Sequence, residues 1–309
     1  MSTEFWKKLD SPIVSVIINV HNGEDYISDT LSSIFQQTFS DFELIVFNNS
    51  STDSTMKILS TVLDPRLKVY ESERFEPLYS ARNLAMQKTN GDLIAFCDSD
   101  DLWLPTKLEE QVSTLNKTGD LIACTNFLIL NERAAQKDYS WVFTGLPDQC
   151  NHDLIMNHPY IHMSSLMIDR RIFQEFGVYF NSKLTILGDM DFFVRALKYS
   201  NVSVINNFLT VYRYHEGNTG LLRFNELYTE GVELISNYRH DKTVIEPVLS
   251  KFEKRIHWIF FRNEIEMKKK FSYLEAFKSL SISNFIKLIA LAFIPAAVLK
   301  KRSETRGIL

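Results

Sequence analysis

Between residues 14 and 125 the chain alternates short apolar, β-branched runs with stretches whose apolar residues recur at helical spacing. That alternation restricts the fold more than any other feature, because it is the pattern of βα units stacked into a mostly parallel sheet. The strand candidates are 14–20, 42–47, 67–70, 93–97 and 121–125. Between the first two, Ile27, Leu31, Ile34 and Phe35 recur at i, i+4, i+7 and i+8, so 25–37 reads as a helix with one buried face. Residues 54–63, behind Asp53, and 78–87 read as two more. Open sheets of this kind bind ligands at the carboxyl ends of their strands, which directs attention to the polar residues that follow each one.

Past residue 125 the alternation breaks up. A short strand and helix are expected in "SSLMIDRRIFQEFG" and a helix over 190–199, with Phe192, Phe193, Ala196 and Leu197 as its buried stripe. No Pro/Gly/Ser-rich linker or internal repeat interrupts 1–220, so that stretch reads as one domain and 221–309 as a helical tail. Three cysteines, Cys97, Cys124 and Cys150, are few and lack metal-ligand spacing, which argues against a disulfide framework or a zinc site and for a reducing compartment. The first apolar run, 13–20, is too short and polar for a signal peptide, and no segment supplies the ~20 apolar residues of a spanning helix. A cytoplasmic protein is expected. The net charge of −4 is unevenly spread: 251–309 holds 13 basic and 5 acidic residues, the remainder 21 and 33. That division suggests different partners for the two parts, neither of them nucleic acid.

The stretch "NGDLIAFCDSDDLWLP" drives an apolar run into Asp98, Asp100 and Asp101. Carboxylates this close repel one another unless a cation sits among them, and an Asp-x-Asp turn is suited to a hard divalent ion that can bridge to a diphosphate. The plainer alternative is a turn that caps the helix beginning near Pro105. Asn19, His21, Asn22, Asn48, Asn49 and Asp53 stand at the ends of the first two strands, with Arg82 and Asn83 upstream of the fourth.

Taken in order, "VSVIINVHN", "LSSIFQQTFSDFELIVFNNSSTDST", "SARNLAMQKTNGDLIAFCDSDDLWLP", "GDMDFFVRALKYS" and "YRYH" resemble the successive motifs of the family 2 glycosyltransferases. The resemblance implies a GT-A fold, Rossmann-like with a mostly parallel central sheet, whose nucleotide-sugar half is 1–125 and acceptor half 126–220. It implies inverting transfer of a sugar from a nucleotide donor, usually a UDP-sugar, with Mg²⁺ or Mn²⁺. On that footing Asn19, His21, Asn22, Asn49, Asp53, Arg82, Asp98 and Ser99 would bind the donor. Asp100, with Asp98 and His215, would hold the metal. Asp189, followed six residues on by Arg195, would be the base that takes the acceptor's proton, with Asp191 as second candidate. Asp189 taken alone also fits an N-cap for the helix after it.

The chain departs from the family's usual pattern at four places. Asn48 and Asn49 stand where an Asp pair is common, Asn19 replaces a Pro, His21 a Tyr, and Gly188 a Glu. A sugar nucleotidyltransferase is one alternative, although "NVHNGED" lacks the Gly-rich basic loop expected of it. A non-catalytic nucleotide-binding relative is another. The tail adds a clue: "SNFIKLIALAFIPAAVLKKR" is apolar over 285–299, interrupted by Lys287 and Pro295, and closed by three basic residues. That suits a helix in the membrane interface, drawn to anionic lipid, or a helical hairpin that packs on the catalytic domain or forms a homodimer. The combined expectation is a peripheral enzyme on the inner face of the cell membrane, moving one hexose or N-acetylhexosamine to a lipid-linked glycan of a surface polysaccharide.

Overall fold

The structure is a computed structural model that describes residues 11–132, 138–142, 150–157, 161–218 and 223–266, with six isolated positions beyond. Its first half runs β1 (Val14–Val20), α1 (Ile27–Phe35), β2 (Phe42–Asn48), α2 (Thr55–Ser60), β3 (Leu67–Glu71), α3 (Leu78–Met86) and β4 (Leu93–Phe96). The expected helices are present, one to three residues shorter at their ends where capping turns replace α geometry. After β4 come β5 (Leu102–Trp103), α4 (Lys107–Thr118), β6 (Ile122–Asn131), β7 (Asp138–Val142), α5 (His152–Asn157), a 3₁₀ turn (Met163–Ser165), β8 (Leu166–Asp169), α6 (Arg171–Gln174), α7 (Gly188–Ala196) and β9 (Val202–Tyr214).

The strands form one sheet in the order β3-β2-β1-β4-β8-β6-β9-β5, with β7 beside β6. β3, β2, β1 and β4 are parallel. β8 then inserts antiparallel to both β4 and β6, and β9 is parallel to β6 but antiparallel to β5. The sheet is therefore parallel through its first half and mixed beyond. β8 has four uniformly buried residues, so it carries no alternation from which its place could be read.

Alternation does explain β1. Val14, Val16, Ile18 and Val20 pack with Ile27, Leu31 and Ile34 of α1 and Leu108, Val112 and Leu115 of α4. Each such side chain, fully buried, stabilises by roughly 1.5–3 kcal/mol. Ser15, Ile17 and Asn19 point to the opposite face, and continuing the Ile17–Phe96 pairing brings Asn19 level with Asp98. β2 lies on one side of β1 and β4 on the other, so the carboxyl end of β1 opens a crevice between diverging connections.

α4 stops at Gly119, whose φ of 74° belongs to the left-handed region that favours glycine. On its inner face it carries a fully buried lysine: Lys107 Nζ donates to Gln111 Oε1 at 2.7 Å and lies 3.9 Å from the centre of the Trp103 ring. Burial pushes its pKa down to about 7. α7 buries Phe192, Phe193, Val194 and Ala196, while Leu197 falls just past its end, half-buried.

The chain divides into two compact units, Met1–Asn218 and Thr219–Leu309. In the second, α8 (Phe224–Asp241) packs on α9 (Glu246–Glu266), with Tyr228 stacked on Phe260 at 4.2 Å and Arg239 paired with Glu246 and Glu253. Among the described residues no helix is long and apolar enough to cross a membrane. The apolar stretch 285–299 lies outside the described residues except for Lys287.

Candidate active site

The turn that follows β4 holds its carboxylates in three different environments. Asp101 is fully buried and accepts from Ser164 Oγ and from the Arg213 backbone N–H at 3.1 Å. Burial raises its pKa well above the ordinary range, and the charges on Asp100 and Asp98 raise it further. Asp98 and Asp100 keep 36% and 24% of their side chains exposed. None of the three caps α4, whose N-cap, Thr106, has no side-chain capping bond, so the plainer reading of the motif is not what the fold uses.

Arg82, from α3, is buried to 3% and reaches two of the expected site residues at once. It donates through Nη2 to Asp98 Oδ1 at 2.9 Å and through Nη1 to Asp189 Oδ1 in a short contact. Burial works against its charge, but Asp189 and Asp98 outweigh that and hold it protonated. Its guanidinium carbon also lies 5.5 Å from the Tyr79 ring and 5.6 Å from the Phe180 ring. The Tyr79 hydroxyl donates to the Ile186 carbonyl at 3.1 Å, and its ring lies against Gly188 so closely that a Cβ there would fall 2.4 Å from it. The glycine ahead of Asp189 thus makes room for the tyrosine that walls in Arg82.

Asp189 sits in the first turn of α7 and makes no cap bond, since the helix begins at Gly188 with Leu187 before it. About a third of its side chain (34%) is exposed. Burial raises its pKa to about 6, with Arg82 pulling down and Asp98 pushing up. Asp191 is differently placed: Arg195 binds its Oδ2 at 2.6 Å and the Tyr179 carbonyl at 2.6 Å. Arg195 therefore pairs with Asp191 and not with Asp189, and the helix separates the two candidate bases.

Asp100 meets the end of β9. His215 Nε2 donates to Asp100 Oδ2 at 2.9 Å while Nδ1 accepts from Gly217 N–H at 3.1 Å, an arrangement that places the ring proton on Nε2. Arg213 donates from Nε to the Asp100 carbonyl at 2.7 Å and from its terminal nitrogens to Glu132 and Asp29, so it fastens the turn and is already paired with carboxylates. Residue spacing gave no hint of His162. Its Nδ1 lies 3.4 Å from Asp101 Oδ2 and its Nε2 3.9 Å from Asp98 Oδ2, and Asp98, Asp101 and His162 offer ligand atoms within 4.8 Å of one another. Its ring lies 4.6 Å from that of Tyr212 and 5.6 Å from that of Phe127, and burial lowers its pKa. Only the fold, by setting the 3₁₀ turn beside β4, brings it in.

The remaining expected donor-site residues stand at or past the ends of β1 and β2, apart from Ser99 on the turn after β4. Asn22 Oδ1 accepts from Thr52 N–H at 2.8 Å, and its own N–H donates to Ser51 Oγ at 2.9 Å. Asp53 accepts from the N–H groups of Glu24 and Thr55, bonds that lower its pKa despite the opposing effect of burial. Asn49 places both ends of its amide on the backbone of Glu76. His21 is exposed and bonds through Nδ1 to the Asn49 carbonyl at 2.8 Å. Ser99 is held through its carbonyl by Thr30 Oγ1, at 2.9 Å. Asn19 Nδ2 is buried without a hydrogen-bond partner among the described residues.

Chemically, Asp98 and Asp189 share the guanidinium of Arg82, while Asp100 pairs with His215 and Asp101 is held by Ser164 and the Arg213 backbone. Hard oxygen donors on the partly exposed Asp98 and Asp100 fit a divalent cation of the Mg²⁺ or Mn²⁺ kind. His215, as placed, supports Asp100 as a donor; a direct bond from Nε2 to a cation would require the Gly217 N–H to turn away, because the proton would move to Nδ1.

Residues 15–177 match glycosyl transferase family 2. The chain is 29% identical over 221 residues to an Escherichia coli enzyme, WfgD, described as a UDP-Glc:α-D-GlcNAc-diphosphoundecaprenol β-1,3-glucosyltransferase; the match spans 71% of this chain and 84% of that one. A second E. coli enzyme of the same description, WfaP, is 28% identical over 218 residues, spanning 70% and 82%. Among solved structures, residues 1–349 of S. aureus TarS in complex with UDP-GlcNAc superpose with a TM-score of 0.67 at 20% identity, covering 89% of this chain and 81% of that one. The mannosyltransferase PcManGT of Pyrobaculum calidifontis, in complex with GDP-Man and Mn²⁺, superposes with a TM-score of 0.59 at 15% identity, covering 98% and 84%. These likenesses establish the GT-A fold.

Proposed function

The chain belongs to glycosyl transferase family 2, and from that premise we propose that it transfers one hexose or N-acetylhexosamine, with inversion, from a UDP-sugar to a hydroxyl of a lipid-linked glycan during surface polysaccharide synthesis. The observation that carries this reading is the bridge made by Arg82: it ties Asp98, on the turn suited to a diphosphate, to Asp189, a carboxylate with a pKa of about 6, in one cleft. The UDP-sugar and the diphosphoundecaprenol-linked acceptor are supported by the descriptions of WfgD and WfaP, and UDP also by the TarS complex.

In the proposed step the acceptor oxygen attacks the anomeric carbon and gives its proton to an Asp189 oxygen. The bond from that carbon to the diphosphate oxygen breaks, and UDP leaves with the electron pair. Arg82 holds Asp189 in place and, by its charge, keeps the carboxylate ionised near neutral pH. Asp191, already paired with Arg195, is the weaker candidate. Asp98 and Asp100 would hold Mg²⁺ or Mn²⁺, with His215 beside Asp100, and the ion would supply Lewis-acid stabilisation of the departing diphosphate. Asn19, His21, Asn22, Asp53 and Ser99 would line the donor side.

The lipid-linked acceptor and the basic 251–309 segment support a peripheral location on the inner face of the cell membrane; homodimerisation through the tail is the alternative. The nucleotidyltransferase alternative gives way to the family assignment. UDP release from UDP-Glc and UDP-GlcNAc, with Mn²⁺ or Mg²⁺ and a GlcNAc-diphospholipid acceptor, tests the reaction. The expected result is acceptor-dependent release reduced about 10²–10⁴-fold in Asp189→Asn, the usual contribution of a general base. Full activity in that variant would remove Asp189 from its role, and UDP binding without turnover of any donor would favour the non-catalytic relative.

A further inference from the structure

His162 stands immediately ahead of the 3₁₀ turn that leads into β8, and because β8 runs antiparallel to β4, that turn lies beside the carboxyl end of β4. Several bonds fasten it there. Asp98 N–H donates to Ser164 Oγ at 2.9 Å, Trp103 Nε1–H to the Ser164 carbonyl at 2.9 Å, and Ser165 Oγ to the His162 carbonyl at 2.6 Å. The same turn orients the imidazole: Nδ1 accepts from Ser164 N–H at 3.3 Å, which leaves the proton of the neutral ring on Nε2. Burial disfavours the imidazolium, so the ring is neutral at pH 7. Among the described residues Nε2–H has no hydrogen-bond partner; Asp98 Oδ2, at 3.9 Å, is too far for one.

That gap suits a single hydroxyl. An oxygen set beside the pair accepts from Nε2–H at about 2.9 Å and donates to Asp98 Oδ2 at about 2.7 Å, ordinary lengths whose sum exceeds the span. The bond from Arg82 to Asp98 Oδ1 is left intact. The group must both accept and donate: a phosphate oxygen would accept from the imidazole but be repelled by the carboxylate. Beside this pair the walls are aromatic. The Tyr212 ring lies 4.6 Å from that of His162 at 51°, and the Phe127 ring 5.6 Å away at 46°. Tyr212 is half-buried, and its hydroxyl, kept protonated by burial and by the charges on Asp101, Asp100 and Asp98, bonds to none of the described residues. A sugar ring matches such a surface, with hydroxyls at its rim and C–H bonds on its faces. Two placements favour the acceptor's sugar. β8, β6 and β9 lie on the flank of β4 away from β1 and β2, and Arg82 sets Asp189 against the same Asp98.

We propose that His162 selects and positions the acceptor sugar, holding one of its hydroxyls between Nε2–H and Asp98 Oδ2, with Tyr212 as the wall against which the ring packs. The proposal rests on the transferase reading given above. The hydroxyl held by His162 is not the one that reacts; gripping it turns the sugar so that another hydroxyl faces Asp189.

Steady-state kinetics on the full chain, with the donors, metal ions and lipid-linked acceptor of the assay above, test it. His162→Leu is expected to raise the acceptor KM about tenfold, the upper range for loss of one neutral hydrogen bond, and to keep the donor KM within about twofold of wild type. His162→Leu and His162→Gln both lose the bond from Ser164 N–H, but the glutamine amide restores an N–H near the place of Nε2, so His162→Gln should recover most of the acceptor affinity. Tyr212→Leu should raise the acceptor KM in the same direction, and thermal melting checks that each variant is folded. Acceptors lacking one hydroxyl at a time give a second readout: one of them should lose about tenfold with wild type and nothing further with His162→Leu. An unchanged acceptor KM in His162→Leu, a rise in the donor KM instead, equal losses in His162→Leu and His162→Gln, or full additivity with every deoxy acceptor would overturn the subsite while leaving the reaction in place. Wild-type protein that binds UDP but transfers to no glycan would overturn both.

Discussion

The Arg82–Asp189 ion pair, proposed above to serve the reaction, need not be worth much to stability. Burying a guanidinium is costly, and here the cost is met by two carboxylates and two flanking rings. The carboxylate of Asp189 is left with a pKa of about 6, above the ordinary 3.8 of an aspartate. A base must be ionised to act, so the sign is clear: kcat/KM should rise with pH through an acid limb near 6 and level off above it. Because the charge on Arg82 lowers that pKa, Arg82→Met should move the limb upward while also reducing the rate. A pH–rate profile of both proteins measures the shift, and superimposable limbs would show that Asp189 is not the group reported. The same scale explains Gly188, where a side chain would collide with Tyr79.

At the level of elements, α4 carries a cost that its amphipathic pattern hides. Lys107 occupies an inward position, fully buried, and its pKa falls to about 7 because burial disfavours the ammonium. The unfolded chain therefore binds more protons than the folded one between about pH 7 and 10.5, and the penalty is full below pH 7 and relieved as pH rises. Lys107→Met should raise stability, and the gain should be about 2–3 kcal/mol smaller at pH 9 than at pH 6. Urea unfolding at the two pH values checks this; an equal gain at both would mean that the lysine stays protonated in the folded state across that range. The loss of the bond to Gln111 Oε1 offsets part of the gain at either pH. Gln111 itself joins α4 to the sheet, donating through Nε2 to the carbonyls of Ala123 and Ser165.

Across the whole molecule, acidic and basic residues are segregated, with the excess of positive charge confined to 251–309. A basic, partly apolar segment binds anionic bilayers through both its lysines and its apolar side chains. Cosedimentation with phosphatidylglycerol vesicles should retain the full chain at low salt, release much of it at high salt, and show weaker retention for Lys300→Glu/Lys301→Glu/Arg302→Glu. Equal retention on neutral phosphatidylcholine vesicles would remove the role of the basic residues, and none on either would point instead to the tail as a contact between protein surfaces.

The apolar spacing of β1, α1, β2 and α3 determined the parallel half of the sheet, because burying one face per element is a local property with a fixed period. The clustered carboxylates after β4 also announced themselves, since like charges packed on one turn are costly without a purpose. The short strand and helix expected in "SSLMIDRRIFQEFG" are β8 and α6, but spacing could not reveal that β8, whose four buried residues have no period, would separate β4 from β6. Nor could it show that Arg82 meets Asp189, 107 residues away, that Arg195 turns to Asp191, or that the Asn49 amide is committed to Glu76. Those pairings are settled by which chain segments the tertiary structure brings within hydrogen-bond distance, and a buried polar group takes whichever partner the packing supplies.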